Sequence, residues 1–359
     1  MTWNHKQPSF TSQLHCPTCP GLEYCGESST AHACPLEYAS PGTEAAKILH
    51  PNRADLGLRL ADCLGLDFNV VSRPQNLLAL PRYIPCVPPR PFVKGAFSFP
   101  VVAVPLHEVV STKARSTGRG LTLRHRLGIP PETNLILTGF CKDQLLENIW
   151  PCRHTILREI AALDFYLVTA FGYSVYDDDT RLEHMYNMKR SLLTYQLLQS
   201  YGVPAIPNIC WFNRTDLDRW CHWLHDNPSV FMLAIDLQTC KQSRDWESII
   251  ADLEYLQANA PPALSYLIYG VAHPTRISAL VQLIPRLHLS NQYPFFMAVW
   301  GRETIFVDGE RHKIESDRPR LEIFIQEVQK IQALVSRPPH AHPFLPQYAL
   351  SRAAGTIRG

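Results

Sequence analysis

The sequence has no apolar run near the roughly 18 residues needed to cross a bilayer, and its start, MTWNHKQPSF, has neither the cationic stretch nor the apolar core of a secretory leader. A cytoplasmic protein without membrane contact is the expectation. It also lacks a charge excess, with 34 lysines and arginines against 32 acids, so no global field draws it towards DNA, a membrane or an acidic partner. Charged residues are scarce altogether, at 18% against a usual share of about a quarter. A chain of 359 residues that is 46% hydrophobic is therefore read as folded and well filled over most of its length.

Proline is present in excess. Of 30 prolines, 14 lie at or before position 105, where they interrupt helices and central strands. Beyond about residue 130, apolar runs of strand length alternate with stretches of helical period. Eight runs are read as strands, at 77–87, 101–110, 134–140, 165–171, 205–211, 230–236, 265–271 and 294–300. The segments between them carry helix ends: Asp179 or Thr180 caps a helix closed by Gly202, Thr215 and Asp218 resemble a capping box, and Pro274 suits a first turn. Buried strands alternating with crossover helices predict a (β/α)8 TIM-type barrel, with an open doubly wound parallel sheet as the alternative. The expected domains are a cysteine-rich metal-binding module and linker at 1–70, the barrel at 71–336 and a flexible tail at 337–359.

Cysteine is concentrated at one end. Four of 11 cysteines, Cys16, Cys19, Cys25 and Cys34, fall in HCPTCPGLEYCGESSTAHACP, separated by two, five and eight residues. In a reducing compartment, such clustering points to metal, and four thiolates suit Zn2+ and a [4Fe–4S] cluster alike. The string CPTCPGLEYCG resembles the segment that binds auxiliary clusters in SPASM domains, departing from it at the more distant fourth cysteine. There is no CxxxCxxC triplet, so a radical-SAM core is not supported. Cys221 and His225, one helical turn apart among Trp220, Trp223 and Leu224, are read as packing.

In a barrel, chemistry gathers where strands end and helices begin. The candidates there are Thr138 and Asp143, then Tyr173, Ser174 and Asp177, then Asn208 and Trp211, Asp236 and Gln238, Tyr269, and finally Arg302 with Glu303. The stretch 134–271 resembles the bacterial and phage-associated domain of unknown function 4417. The likeness is carried by FGYS at 171–174, YNMKRS at 186–191, YGVPAIPNICW and IYG at 268–270. It implies that Tyr186, Asn187, Arg190 and Trp211 form part of that family's site, and it implies no reaction. Tyr173 stands where family members typically show aspartate. A looser likeness, in TGF at 138–140, LQTCKQ at 237–242, YGV at 269–271 and VWGR at 299–302, is to the tRNA-guanine transglycosylase superfamily. The aspartates that this second likeness implies are replaced by Leu137 and Asn291, leaving Asp236 as a substitute.

Residues 113–126 (KARSTGRGLTLRHR) hold Lys113, Arg115, Arg119, Arg124 and Arg126, with no acid between Glu108 and Glu132, a stretch able to neutralise phosphates. The functional expectation is a metal-centre-containing barrel enzyme acting on a nucleic acid or nucleotide. In it Asp177 or Asp236 is acid/base, Arg190 and Arg302 hold phosphate, Trp211 stacks a base, and Ser174, Asn187 and Tyr269 contact substrate. The alternative is a non-catalytic binding or sensing component of a phage-defence or mobile-element system.

Overall fold

The computed structural model describes residues 62–75, 79–88, 99–111, 124, 129–176, 181–240, 243–307 and 310–337. The four N-terminal cysteines, Asp177, the Asp179 or Thr180 cap, four of the five basic-segment cations and the tail beyond residue 337 lie outside these ranges. Eight short parallel strands follow in order: β1 (Tyr83–Pro85), β2 (Val101–Pro105), β3 (Asn134–Thr138), β4 (Leu167–Thr169), β5 (Ala205–Ile206), β6 (Met232–Asp236), β7 (Ser265–Tyr269) and β8 (Leu287–Asn291). An antiparallel hairpin, β9 (Arg302–Val307) and β10 (Glu310–Glu315), comes after them. The helices are α1 (Asp143–Ile149), α2 (Arg153–Ala161), α3 (Arg181–Ser200), α4 (Arg214–Asp226), α5 (Ser243–Asn259), α6 (Pro274–Leu283), α7 (Tyr293–Trp300) and α8 (Arg320–Val335).

The strands form two four-stranded parallel sheets, ordered β2-β3-β4-β5 and β1-β8-β7-β6. Within each run of consecutive strands, chain neighbours are sheet neighbours, with none of the order reversal of a doubly wound sheet. The sheets meet at two seams. At one, Cys86 bridges Ala103 in parallel, and the Val87 amide donates to the Ala103 carbonyl at 2.8 Å. At the other, Asn208 bridges Ala234, with the Ile209 amide donating to the Ala234 carbonyl at 3.0 Å and the Ala234 amide to the Pro207 carbonyl at 2.9 Å. The arrangement is TIM-barrel-like, but its hydrogen-bonded ladder is not continuous around the ring.

Strand alternation divides the core in two. Val102, Leu135, Leu137, Val168, Leu233, Ile235, Ile268 and Leu289 point outward into the main apolar cluster beneath the helices. Ile84, Ala103, Ile136, Leu167, Ile206, Met232, Ala234 and Leu267 point inward and fill the lumen with a second cluster. The interior is a plug, and only its upper end is left for chemistry.

The observed elements correct the sequence reading in two places. The run at 294–300 is helix α7, and the eighth strand is Leu287–Asn291, whose alternating LHLSN reads weakly because only its outward residues are apolar. Helix α4 is capped two residues earlier than expected: Asn213 accepts from the Asp216 amide at 3.1 Å, and Asp216 accepts in return from the Asn213 amide at 3.4 Å. Gly202, in the left-handed region at φ 77°, does close α3, and Pro274 does open α6. Cys221 is buried, as the packing reading expects, whereas His225 is exposed and bonds the Asn259 carbonyl at 2.9 Å.

Candidate functional site at the strand ends

Above the apolar plug, the next inward position on successive strands is polar. Cys86 on the β1 side, Thr138 on β3, Thr169 on β4, Asn208 after β5, Asp236 on β6, Tyr269 on β7 and Ser290 on β8 make up this row. Register fixes their neighbours: Asp236 lies opposite Tyr269, Tyr269 opposite Ser290, and Asn208 opposite Ala234, one inward step below Asp236. Tyr269 is 1% exposed, donates its hydroxyl to Cys86 Sγ at 3.2 Å, and stacks against Phe140 with ring centres 5.0 Å apart. Burial pushes the Cys86 thiol up to about 12, so it carries no thiolate for nucleophilic work near neutrality. Two row members lack a partner among the described residues: Asn208 Oδ1, on a residue 3% exposed, and Ser290 Oγ, on a residue 0% exposed. Asn208 packs so closely on Gly172 that a Cβ there would collide with its amide.

Asp236 differs from its neighbours in being open to water while protein atoms crowd around its carboxylate. The Gln238 amide donates to Oδ1 at 2.9 Å and the Gln238 side chain to Oδ2 at 3.3 Å, fixing the group's orientation. Desolvation by the surrounding wall, with a smaller contribution from the charge of Asp143, raises its pKa to about 6, and the Gln238 bonds oppose that rise only in part. Among the described residues, no cation pairs with it. Asp143, at the start of α1, accepts from Ser174 Oγ at 2.7 Å and from the Tyr176 hydroxyl.

The FGYS and YNMKRS segments meet behind Asp143. Asn187 donates to the Ser174 carbonyl at 2.6 Å and accepts from Arg190, while the Tyr173 amide lies 3.4 Å from Ser191 Oγ. Arg190 makes a two-pronged pair with Glu147, at 2.9 and 2.7 Å, and lies over Tyr173, Tyr186 and Trp150 at 4.0, 4.5 and 5.6 Å. Burial works against its charge, but the Glu147 bonds and the tyrosines around it hold its pKa above the ordinary arginine value. The neighbouring Lys189 is fully buried and donates to Asn69 Oδ1 at 2.6 Å and to the Asp67 carbonyl. This helical face is therefore inward. Its cations tie elements together, and its amide holds the loop that presents Ser174.

Of the residues expected around one mouth, Ser174, Asp236 and Tyr269 stand at the ends of β4, β6 and β7. Trp211 follows β5, but its indole donates to Asp252 on α5 at 2.7 Å. Arg302 opens β9, opposite Glu315, outside the parallel strands. Arg124 donates to the carbonyls of Thr133 at 2.8 Å and Pro130 at 3.2 Å. The sequence pattern alone does not single out Cys86, Phe140, Tyr176, Ser290 or Gln292, though alternation along 287–291 carries the signal for Ser290. A surface cavity of about 420 Å³ lies between segment 62–75 and helices α3 and α4, lined by Leu66, Phe68, Met185, Arg219, His222 and Trp223, none of them a strand-end residue. No cluster of three or more metal-ligating side chains occurs among the described residues. Nor, among them, is any helix long and apolar enough to cross a membrane.

The family described as "Domain of unknown function (DUF4417)" matches residues 124–287, somewhat under half of the chain. That span contains Asp143, the α3 network, Asn208, Asp236 and Tyr269. No curated protein matches the chain. Among solved structures, the chain is similar to one described as "Crystal Structure Analysis of the 4-hydroxy-2-oxoglutarate aldolase/2-deydro-3-deoxyphosphogluconate aldolase from TTHB1", at 12% identity over 71% of this chain and 94% of that one, with a TM-score of 0.38. The likenesses to transglycosylases and to SPASM segments remain readings of the sequence alone.

Proposed function

We propose that the chain is an enzyme that moves a proton at the strand-end mouth, with Asp236 as the acid–base group. The observation that carries this is the placement of Asp236: last residue of a lumen strand, open to water and oriented by Gln238. A carboxyl group with a pKa near neutrality holds both protonation states at working pH, as general acid–base chemistry requires. Ser174 and Tyr176 orient Asp143, and Asn187 and Arg190 hold the loop that carries Ser174. We also take the two sheets to act as one closed (β/α)8 barrel, a reading supported by the parallel bridges at both seams. Cys16, Cys19, Cys25 and Cys34 are proposed to hold one [4Fe–4S] cluster or Zn2+.

The nucleic-acid or nucleotide part of the proposal rests on the 113–126 sequence. With Arg124 engaged by backbone carbonyls, it depends on Lys113, Arg115, Arg119 and Arg126. The test is incubation of the purified protein with nucleosides, nucleotides and RNA, followed by mass spectrometry of the products, beside Asp236→Asn. Turnover that disappears in the variant supports the reading. Undiminished turnover in Asp236→Asn removes Asp236 from the mechanism, and no turnover of any compound moves the assignment to a binding or sensing component built on the same scaffold.

A further inference from the structure

The β5–β6 seam places Asn208, whose Oδ1 lacks a donor among the described residues, one inward step below the carboxylate of Asp236. Asp236 carries a carboxylate that feels the charge of Asp143, and among the described residues no lysine, arginine or histidine compensates Asp236. The nearby arginines of the β7 loop and the hairpin are engaged elsewhere: Arg276 binds the Cys240 carbonyl and lies over Trp246, and Arg311 binds the Ala272 carbonyl at 3.2 Å. Just after the adjacent strand, one inward step below, Asn208 is buried and its Oδ1 has no donor among the described residues. The ladder between these strands is a single bridge, as it is at the other seam.

We propose that this seam receives the cationic nitrogen of an organic ligand, a primary ammonium or a guanidinium, between Asp236 and Asn208. The inference rests on the reading of the strand ends as the working site and names the ligand class for it. The chemistry of the acceptors selects the class. A phosphate or carboxylate brings only acceptors and meets two negative charges. A neutral amide supplies a donor to Asn208 but leaves the carboxylate pair uncompensated. A protonated nitrogen does both, placing N–H groups on Asp236 and on Asn208 Oδ1 while its charge offsets the pair.

Binding of benzamidine and of 1,5-diaminopentane to the full-length protein should be measured by calorimetry, with benzamide and benzoate as the neutral and anionic counterparts. Both cations should bind, at least ten times more tightly than benzamide or benzoate. Asp236→Asn should weaken them tenfold or more, and Asn208→Ala several-fold, with circular dichroism and urea unfolding showing both variants folded. In parallel, 13C carboxyl shifts should follow the titration of Asp236, whose midpoint near 6 should fall when benzamidine is added. Equal affinity for benzamide and benzamidine, no binding of either cation, or unchanged binding in Asp236→Asn overturns the cation site. If no cation binds but Asp236 still titrates near 6, the acid–base reading survives alone. If Asp236 titrates as an ordinary aspartate while the variant loses benzamidine, the cation site stands and the acid–base reading falls.

Discussion

Replacing Asp236 with asparagine should stabilise the fold, and by an amount that depends on pH. A carboxyl raised from its ordinary 3.8 to about 6 takes up a proton on folding. Its favourable contribution is complete below the unfolded value and is lost as pH rises through the folded one, so above pH 7 the ionised group opposes folding. By linkage, a rise of that size corresponds to about 3 kcal/mol. Because the carboxylate is open to water, screening reduces this, and about 1 kcal/mol is the working expectation. Tyr269 and Asp143, which face the group, are the same in both proteins, and an asparagine oxygen still accepts from the Gln238 amide. Urea unfolding at pH 4.5, 5.5, 6.5 and 7.5 should therefore show Asp236→Asn gaining on the native protein from pH 4.5 to about 6.5 and levelling off by 7.5, with unchanged m-values. A difference that is flat across pH, or a variant that becomes the less stable partner as pH rises, would refute the argument from desolvation and the Asp143 charge.

Arg190→Ala should destabilise the protein by about 2–4 kcal/mol in the same assay, since it empties a space between three aromatic rings and leaves Asn187 Oδ1 without its donor. Arg190→Lys should recover little of this, because an ammonium cannot make the two-pronged pair with Glu147. Gly172→Ala, colliding with the Asn208 amide and the Phe140 ring, should lose about 1–3 kcal/mol. Cys16→Ser/Cys34→Ser should abolish stoichiometric metal in anaerobically purified protein, read by metal analysis and the visible spectrum, and full retention would refute the four-cysteine centre.

Seven of the eight strand runs were legible because their strands are apolar on both faces, outward against helices and inward against the plug. Strand β8 was not, since His288 and Ser290 occupy its inward positions and leave Leu287 and Leu289 alone as signal. The adjacent PFFMAVW looked more like a strand than the strand did, yet the chain turns it into α7 with Pro294 in its first turn. At the site, Asp236, Ser174 and Tyr269 could be named from strand ends alone. What spacing could not disclose was direction. Arg190 and Trp211 carry attractive chemistry, but tertiary packing turns them to Glu147 and Asp252, and only coordinates separate a residue that faces a ligand from one that holds such a residue in place. The orphan atoms of Asn208 and Ser290 are likewise invisible in sequence, because being unpartnered is a property of the surroundings.

The order β1-β8-β7-β6 also shapes how the chain must assemble. The sheet of β2 to β5 closes between consecutive segments and needs no other part of the molecule. The second sheet gains its outer strand only when β1 meets β8, a contact marked by the Tyr83 hydroxyl donating to Asn291 across 208 residues of sequence. On a ribosome, β1 emerges early and waits, its partner edge unmade, until the chain beyond β8 has been released. Closing so long a loop is entropically demanding and slow. Until that contact forms, β1 is held only by its bridge to β2, and its other edge is an unpaired strand edge of the kind that favours mispairing.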